Sequence, residues 1–339
     1  MRGRLVARAA PALSGLLTPS GAVTLTNGQT VSGLVIYASG TAITGSGVDN
    51  VTIRNCLIFY NQGYNAGEAR GIKLTNCDNV LIEDVEGKNV GAPHRGALSS
   101  TSQNCIYLEN CASPTINRVT TRQGSTGISL VSCSDTTITF HENHDSRGPY
   151  PRGQAIQWNS CTGTHTATNV SDESIPGTSW NEDSYNIYAT PNVTISGIFI
   201  PMQSDGLSGR GLVLEQVSTT NCLVTGLEAL YTFNGLAGGF ECGTGNEIQG
   251  KAKYYDRYSA RALPGSSNSG NTLPALAVTG YNPTPGQYTD LDFLFYGIPA
   301  RAPNGTTMDA GKRNTWYNPT DIGGIAQGTG TVIEQDWTV

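Results

Sequence analysis

The sequence predicts an all-β solenoid, a right-handed parallel β-helix of about eight to nine coils closed by a β-rich C-terminal cap. Three observations predict it. A unit recurs every 22 to 34 residues along most of the chain. Inside each unit apolar and polar residues alternate, which is the period of a strand and not of a helix. Glycine supplies 42 of the 339 residues, while charged side chains supply only 14%, against about 25% in ordinary proteins. Long amphipathic helices need far more Ala, Leu, Glu and Lys than this.

Residues 1–30 read as an N-terminal arm and cap. Met1–Ala10 has the positive flank of a leader, but Ala12–Leu17 is short and broken by glycine, so a docking arm is expected in place of a targeting segment. Residues 31–260 read as the β-helix. Its units align on a central column of Val48, Cys77, Cys111, Cys133, Cys161, Thr190, Val217 and Cys242. Three positions earlier stand Leu74, Leu108, Leu130, Trp158, Ile187, Leu214 and Gly239. Five positions earlier stand Ile72, Ile106, Ile128, Ile156, Tyr185, Leu212 and Ala237, and five later Ile53, Ile82, Ile116, Ile138, Thr166, Ile195, Cys222 and Glu247. Coils stacked about 4.8 Å apart lay like residues on like, and three parallel sheets result. Trp158 falls in an inward column and is assigned to the core. The pairs Asp49-Asn50, Asp78-Asn79, Ser134-Asp135 and Pro191-Asn192 supply the short turn of each coil. A propeller repeat would be longer, at about 40 residues.

The pattern fades at Gly239 and Glu247. Residues 261–339 read as a C-terminal cap or oligomerisation segment, in which a stretch rich in Pro, Gly, Ser and Asn (264–288) precedes the short apolar strands Leu291–Phe295 and Thr331–Ile333. An open solenoid end exposes unpaired strand edges, so a cover is required.

The net charge of −6 argues against an electrostatic nucleic-acid binder. No apolar run reaches the roughly 20 residues of a membrane helix. The eight cysteines show no CxxC spacing, and four of them end apolar stretches (LTNC, LENC, LVSC, WNSC). They read as reduced, buried small hydrophobes. No cofactor or metal is expected: His141 and His144 with Asp145 lack a helix to place them on one face.

The unit Gly71-Ile-Lys-Leu-Thr-Asn-Cys-Asp-Asn-Val-Leu-Ile82 resembles the repeat of the pectate-lyase-like β-helix superfamily, over roughly residues 30–250. The segments Arg147–Trp158 and Glu182–Tyr188 resemble recurring stretches of bacterial β-helix proteins. That superfamily includes pectate and alginate lyases, polygalacturonases, uronan epimerases and phage tailspikes. The Asp-Pro-His-Glu signature of the epimerases and the paired aspartates of the polygalacturonases are absent. The resemblance therefore implies the fold and a polysaccharide partner, in a virion spike or an extracellular protein, and a homotrimer if it is a spike. It does not specify a reaction.

With the short turn nearly constant, the insertions after residues 57, 86, 140 and 170 are expected to stack along one flank. They carry Glu68 and Arg70, then His94 and Arg95, then the dense run His141-Glu142-Asn-His144-Asp145-Ser-Arg147-Gly-Pro-Tyr150-Pro-Arg152, then Trp180 and Glu182-Asp183. Sugars need planar hydrogen-bonding groups and aromatic faces. Glu142 or Asp145 opposite Glu182 or Asp183 would supply the two carboxylates of a hydrolase, about 5–9.5 Å apart. A lyase would use a base such as His141, with Arg147 or Arg152 neutralising a substrate carboxylate. Arg147, Tyr150, Arg152, Trp180, His94, Arg95, Glu68 and Arg70 are the binding candidates. Competing structural readings are salt bridges Asp145–Arg147 and Arg152–Glu182 that order the loops, and an ordinary loop histidine at 141. A non-catalytic receptor-binding protein and a secreted bacterial lyase remain the rival functions.

Overall fold

The computed structural model describes residues 11, 13–63, 67–91, 103–148, 152–175, 179–202, 210–226, 228–229, 237–240, 247–254, 291–296 and 333–335. Among these there is no helix. The strands form one sheet of 14 and one of nine, and every pairing is parallel. Each coil contributes one long strand to the first sheet, such as Thr52–Tyr60, Leu81–Asn89, Thr115–Arg122, Thr137–His144 and His165–Glu173. It contributes one short strand to the second, such as Ile72–Thr75, Ile106–Glu109, Ile128–Val131, Ile156–Asn159 and Asp183–Tyr188.

The expected third sheet is hidden inside the long strands. Asn55, Asp84, Arg118, Phe140 and Asn169 stand at one level on successive coils and all have φ between 50° and 56°. This left-handed residue bends each strand, so that the long sheet presents two faces and the cross-section has three sides. It also resets the alternation. Ile53 and Cys56 both point inward, with two non-buried residues between them in place of one. Asn and Asp tolerate this conformation, and Gly197 continues the column at φ 67° with a virtual Cβ 2.9 Å from Asn169 Oδ1. At Arg118 the guanidinium spans both oxygens of Asp84, at 2.7 Å each.

The inward columns stack in register as expected: Ile72, Ile106, Ile128, Ile156, Tyr185 and Leu212 in one, Leu74, Leu108, Leu130, Trp158, Ile187 and Leu214 in the other. All are buried. Seven cysteines are buried and unbridged among the described residues. The thiol of Cys133 donates to Leu108 O of the preceding coil (3.4 Å), and that of Cys161 to Leu130 O (3.5 Å).

Several positions differ from the sequence alignment. Val217 is 73% exposed; Thr219 takes its place, stacking on Thr190, because this turn is two residues longer. Ala167, not Thr166, stacks between Ile138 and Ile195, since Gly163 (φ 81°) adds a residue to its turn. Val224 and Ile248 likewise carry on the line in place of Cys222 and Glu247. The insertions begin later than residues 57, 86, 140 and 170, because the strands run on to Tyr60, Asn89, His144 and Glu173. At the N-terminal end Thr18–Ser20 already pairs with Leu34–Ile36. At the other end Glu247–Tyr254, Leu291–Tyr296 and Ile333–Gln335 continue the parallel pairing.

Candidate functional site

The long connections leave the ends of the long strands and enter the starts of the short strands, which puts them on one side of the solenoid. The candidate residues on this side divide among three environments.

The first is the inner corner. His141 through His144 are strand residues and not loop. His141 and Asn143 point inward, while Glu142 and His144 point outward. His141 replaces an aliphatic residue in its column, between Val119 and Val170. The Thr121 hydroxyl donates to Asn143 Oδ1 at 2.8 Å, so His141 Nε2, 2.9 Å from the same hydroxyl, is the protonated nitrogen. Its Nδ1 is buried without a partner. Burial, with His144 adding to it, lowers the His141 pKa to about 3, so the ring is neutral. Asn143 Nδ2 donates to Asp172 Oδ1 (2.7 Å), and Asn181 Nδ2 donates to Asp172 Oδ2 (3.0 Å). Burial raises the Asp172 pKa to about 7 against these donors. Asp145 is also inside. It accepts from Arg147 Nη2 (2.6 Å), Ser179 Oγ (2.7 Å) and Gln123 Nε2 (3.1 Å), and so ties together three connections.

The second environment is the outer face of the long sheet. There the His144 ring lies between Glu173 (Nδ1 to Oε2, 3.1 Å) and Glu142 (Nε2 to Oε2, 3.4 Å).

The third is the outer face of the short sheet, with the loops entering it. The Arg70 guanidinium lies 3.7 Å over the centre of the Tyr107 ring. Its Nη1 meets Glu68 at 2.9 Å, and Lys73 meets the same oxygen at 2.6 Å. Hydrogen bonding from Lys73 and the charge of Arg70 hold the Glu68 carboxyl low, partly offset by burial. Burial pulls the Arg70 and Arg152 pKa values down, and Glu68 and Glu182 respectively oppose it. Glu182 receives Gln154 Nε2 at 2.7 Å. Burial, then Asp183 and Glu215, push its pKa up to about 8 against Arg152 and Gln154. Gln157 and Asn186 stand on adjacent short strands; both are buried, and Gln157 Oε1 and Asn186 Oδ1 have no partner.

Gly153 makes this juxtaposition possible. It has φ 115°, and a Cβ there would press on the Trp180 carbonyl and lie 2.6 Å from Asn181 Cα. Without one, the two loops touch, and Glu182 N donates to Arg152 O at 3.1 Å. Trp180 lies half-buried beside it.

The carboxylates paired in the sequence analysis thus fall into separate environments: Asp145 in the inner corner, Glu142 on the long sheet, Glu182 on the short sheet. Asp183 is buried and follows Glu182 directly. His94, Arg95 and Tyr150 lie outside the described residues. Tyr107, Thr126, Gln154, Gln157, Asn186 and Glu215 are not among the sequence candidates, because they lie on or just before the short strands and not in the insertions. Tyr107, Gln157 and Asn186 are polar or amphipathic residues between two inward apolar ones, and that alternation was the available signal. Among the described residues no three His, Cys, Asp or Glu side chains are grouped to hold a metal ion.

Residues 16–170 match the family described as right handed beta helix region. The fold is the right-handed parallel β-helix. No curated protein matches the chain. Among solved structures it is similar to the catalytic domain of a GH87 α-1,3-glucanase in complex with nigerose, at 11% identity and a TM-score of 0.47, covering 93% of this chain and 56% of that one. It is also similar to the Dettilon tailspike protein, at 12% identity and a TM-score of 0.31, covering 81% of this chain and 61% of that one. The chain thus spans little more than half of either neighbour.

Proposed function

We propose that the outer face of the short sheet binds a polysaccharide and that Glu182 acts there as the general acid of glycosidic-bond cleavage. The carrying observation is the Glu182 carboxyl, held half-buried between Arg152 and Gln154 with its pKa pushed up to about 8. Such a carboxyl keeps its proton at neutral pH, as a general acid must. Asp183 and Glu215 act on it electrostatically and are the candidates for the second carboxylate. Arg70 stacked on Tyr107 supplies a planar, partly apolar wall.

The test is incubation of the chain with bacterial surface and extracellular polysaccharides, followed by assays for new reducing ends and unsaturated uronates. New reducing ends that fall about 100-fold or more in Glu182→Gln are expected. Undiminished cleavage by that variant overturns the role of Glu182. Unsaturated uronates in place of saturated ends redirect the reaction to a lyase.

A binding-only, receptor-recognising protein is the second reading. It is favoured by the mutual burial of Asp145 and Arg147, which takes two of the sequence candidates away from any ligand. Retention on a polysaccharide without new ends decides for it. In both readings we place the chain in a homotrimeric spike on a virion, with the solenoid side facing the glycan. Light scattering at the trimer mass tests that assembly, and a secreted bacterial enzyme is its alternative.

A further inference from the structure

We infer that Thr126 and Gln154 are positioning residues for Glu182, fixing together which of its two carboxyl oxygens carries the proton. The use of this device rests on the glycan-cleaving reading above, whereas its hydrogen bonds stand without it.

Thr126 and Gln154 occupy one level on consecutive coils, two residues before the paired Ile128 and Ile156. Both are fully buried. The Thr126 hydroxyl donates to Gln154 Oε1 at 3.0 Å, and Gln154 Nε2 donates to Glu182 Oε2 at 2.7 Å. A primary amide has one accepting end and one donating end. Thr126 occupies the accepting end, which leaves the donating end for Glu182. An oxygen that accepts a short N–H bond plays the carbonyl part in a carboxylic acid, so the proton resides on Oε1. The Glu182 backbone is anchored separately, through its N–H to Arg152 O at 3.1 Å. The relay therefore orients the carboxyl without holding the loop.

Removing the hydroxyl frees the amide to turn over. Gln154 Oε1 would then face the carboxyl and accept its proton, a contact that favours the neutral acid. The charged groups acting on Glu182 are Arg152, which attracts, and Asp183 and Glu215, which repel. A change at Thr126 alters none of them. The Glu182 midpoint is thus expected to rise when either link is cut.

The experiment is a pH titration of the full chain carrying carboxyl-labelled glutamate, followed by carbon NMR. The Glu182 signal is assigned by its loss in Glu182→Gln. Thr126→Val is expected to raise the midpoint by about one pKa unit, the size of a lost hydrogen bond to a charged group. Thr126→Ser restores it, and Gln154→Met raises it as Thr126→Val does. A wild-type midpoint in either Thr126→Val or Gln154→Met overturns the relay, as does failure of Thr126→Ser to restore it. Gln154→Met keeps the experiment decisive if Thr126→Val does not fold. The titration needs no glycan, so an unmoved midpoint reports failure of the relay, and absence of new reducing ends from wild type reports failure of the functional reading.

Discussion

Arg147 Nη2 donates to Asp145 Oδ2 across 2.6 Å, at a point where the two side chains are only 6% and 4% exposed. Both residues have the chemistry of a sugar site, and the fold uses them on each other. Ser179 and Gln123 also donate to Asp145, which fastens the connection after each of three successive long strands to the next.

Arg147→Met strands the Asp145 carboxylate in a dry site. A loss of about 3–5 kcal/mol is expected, read as a lower urea midpoint. The double variant Asp145→Leu/Arg147→Met recovers most of it, because no charge is then left buried alone. A wild-type midpoint for the single variant would show the pair to be dispensable to folding.

Asp172 and His141 pull the pH dependence of stability in opposite directions. The folded pKa of Asp172 is raised to about 7, so its contribution is full below the ordinary carboxylate range and is lost as pH rises toward 7. The folded pKa of His141 is lowered to about 3, so its contribution is full above the ordinary imidazole range and is lost as pH falls toward 3. Asp172→Asn is expected to remove the fall in thermal midpoint as pH rises from about 4 to 7, and His141→Val the fall as pH drops from about 6.5 to 3. Unchanged profiles in both variants would contradict the buried placement.

Gly153→Ala puts a methyl group against the loop that carries Glu182, at φ 115°. A cost of about 1–3 kcal/mol is expected from the backbone alone. Displacement of Glu182 should also lower any glycan cleavage beyond what the lost stability explains, which turnover measured well below the melting temperature would reveal.

Val217 and Thr219 test the register of the turn. Val217→Ser should change stability by less than about 0.5 kcal/mol, since the side chain is 73% exposed. Thr219→Ala removes the oxygen that accepts from Thr190 N at 3.3 Å. It should cost about 1–3 kcal/mol in urea unfolding.

Much of the solenoid was legible because each coil repeats one alternation, and Ile106, Ile128 and Ile156 advertise their column without help from distant residues. The slips at Val217 and Thr166 came from turns whose length varies by one or two residues, which a fixed spacing cannot follow. The bend was the harder case. Asn55, Asp84 and Asn169 suit a left-handed residue, but Arg118 and Phe140 in the same column give no such signal.

By itself, then, the sequence determined strand period and the stacked core, since those follow from local alternation repeated along the chain. Only the tertiary structure decided that His141 is a core residue, that Asp145 belongs to Arg147, and that Glu182 faces the short sheet. Those outcomes depend on a backbone bend that resets inside and outside, and on burial supplied by loops of neighbouring coils. Neither is carried by the residue's own neighbours in sequence.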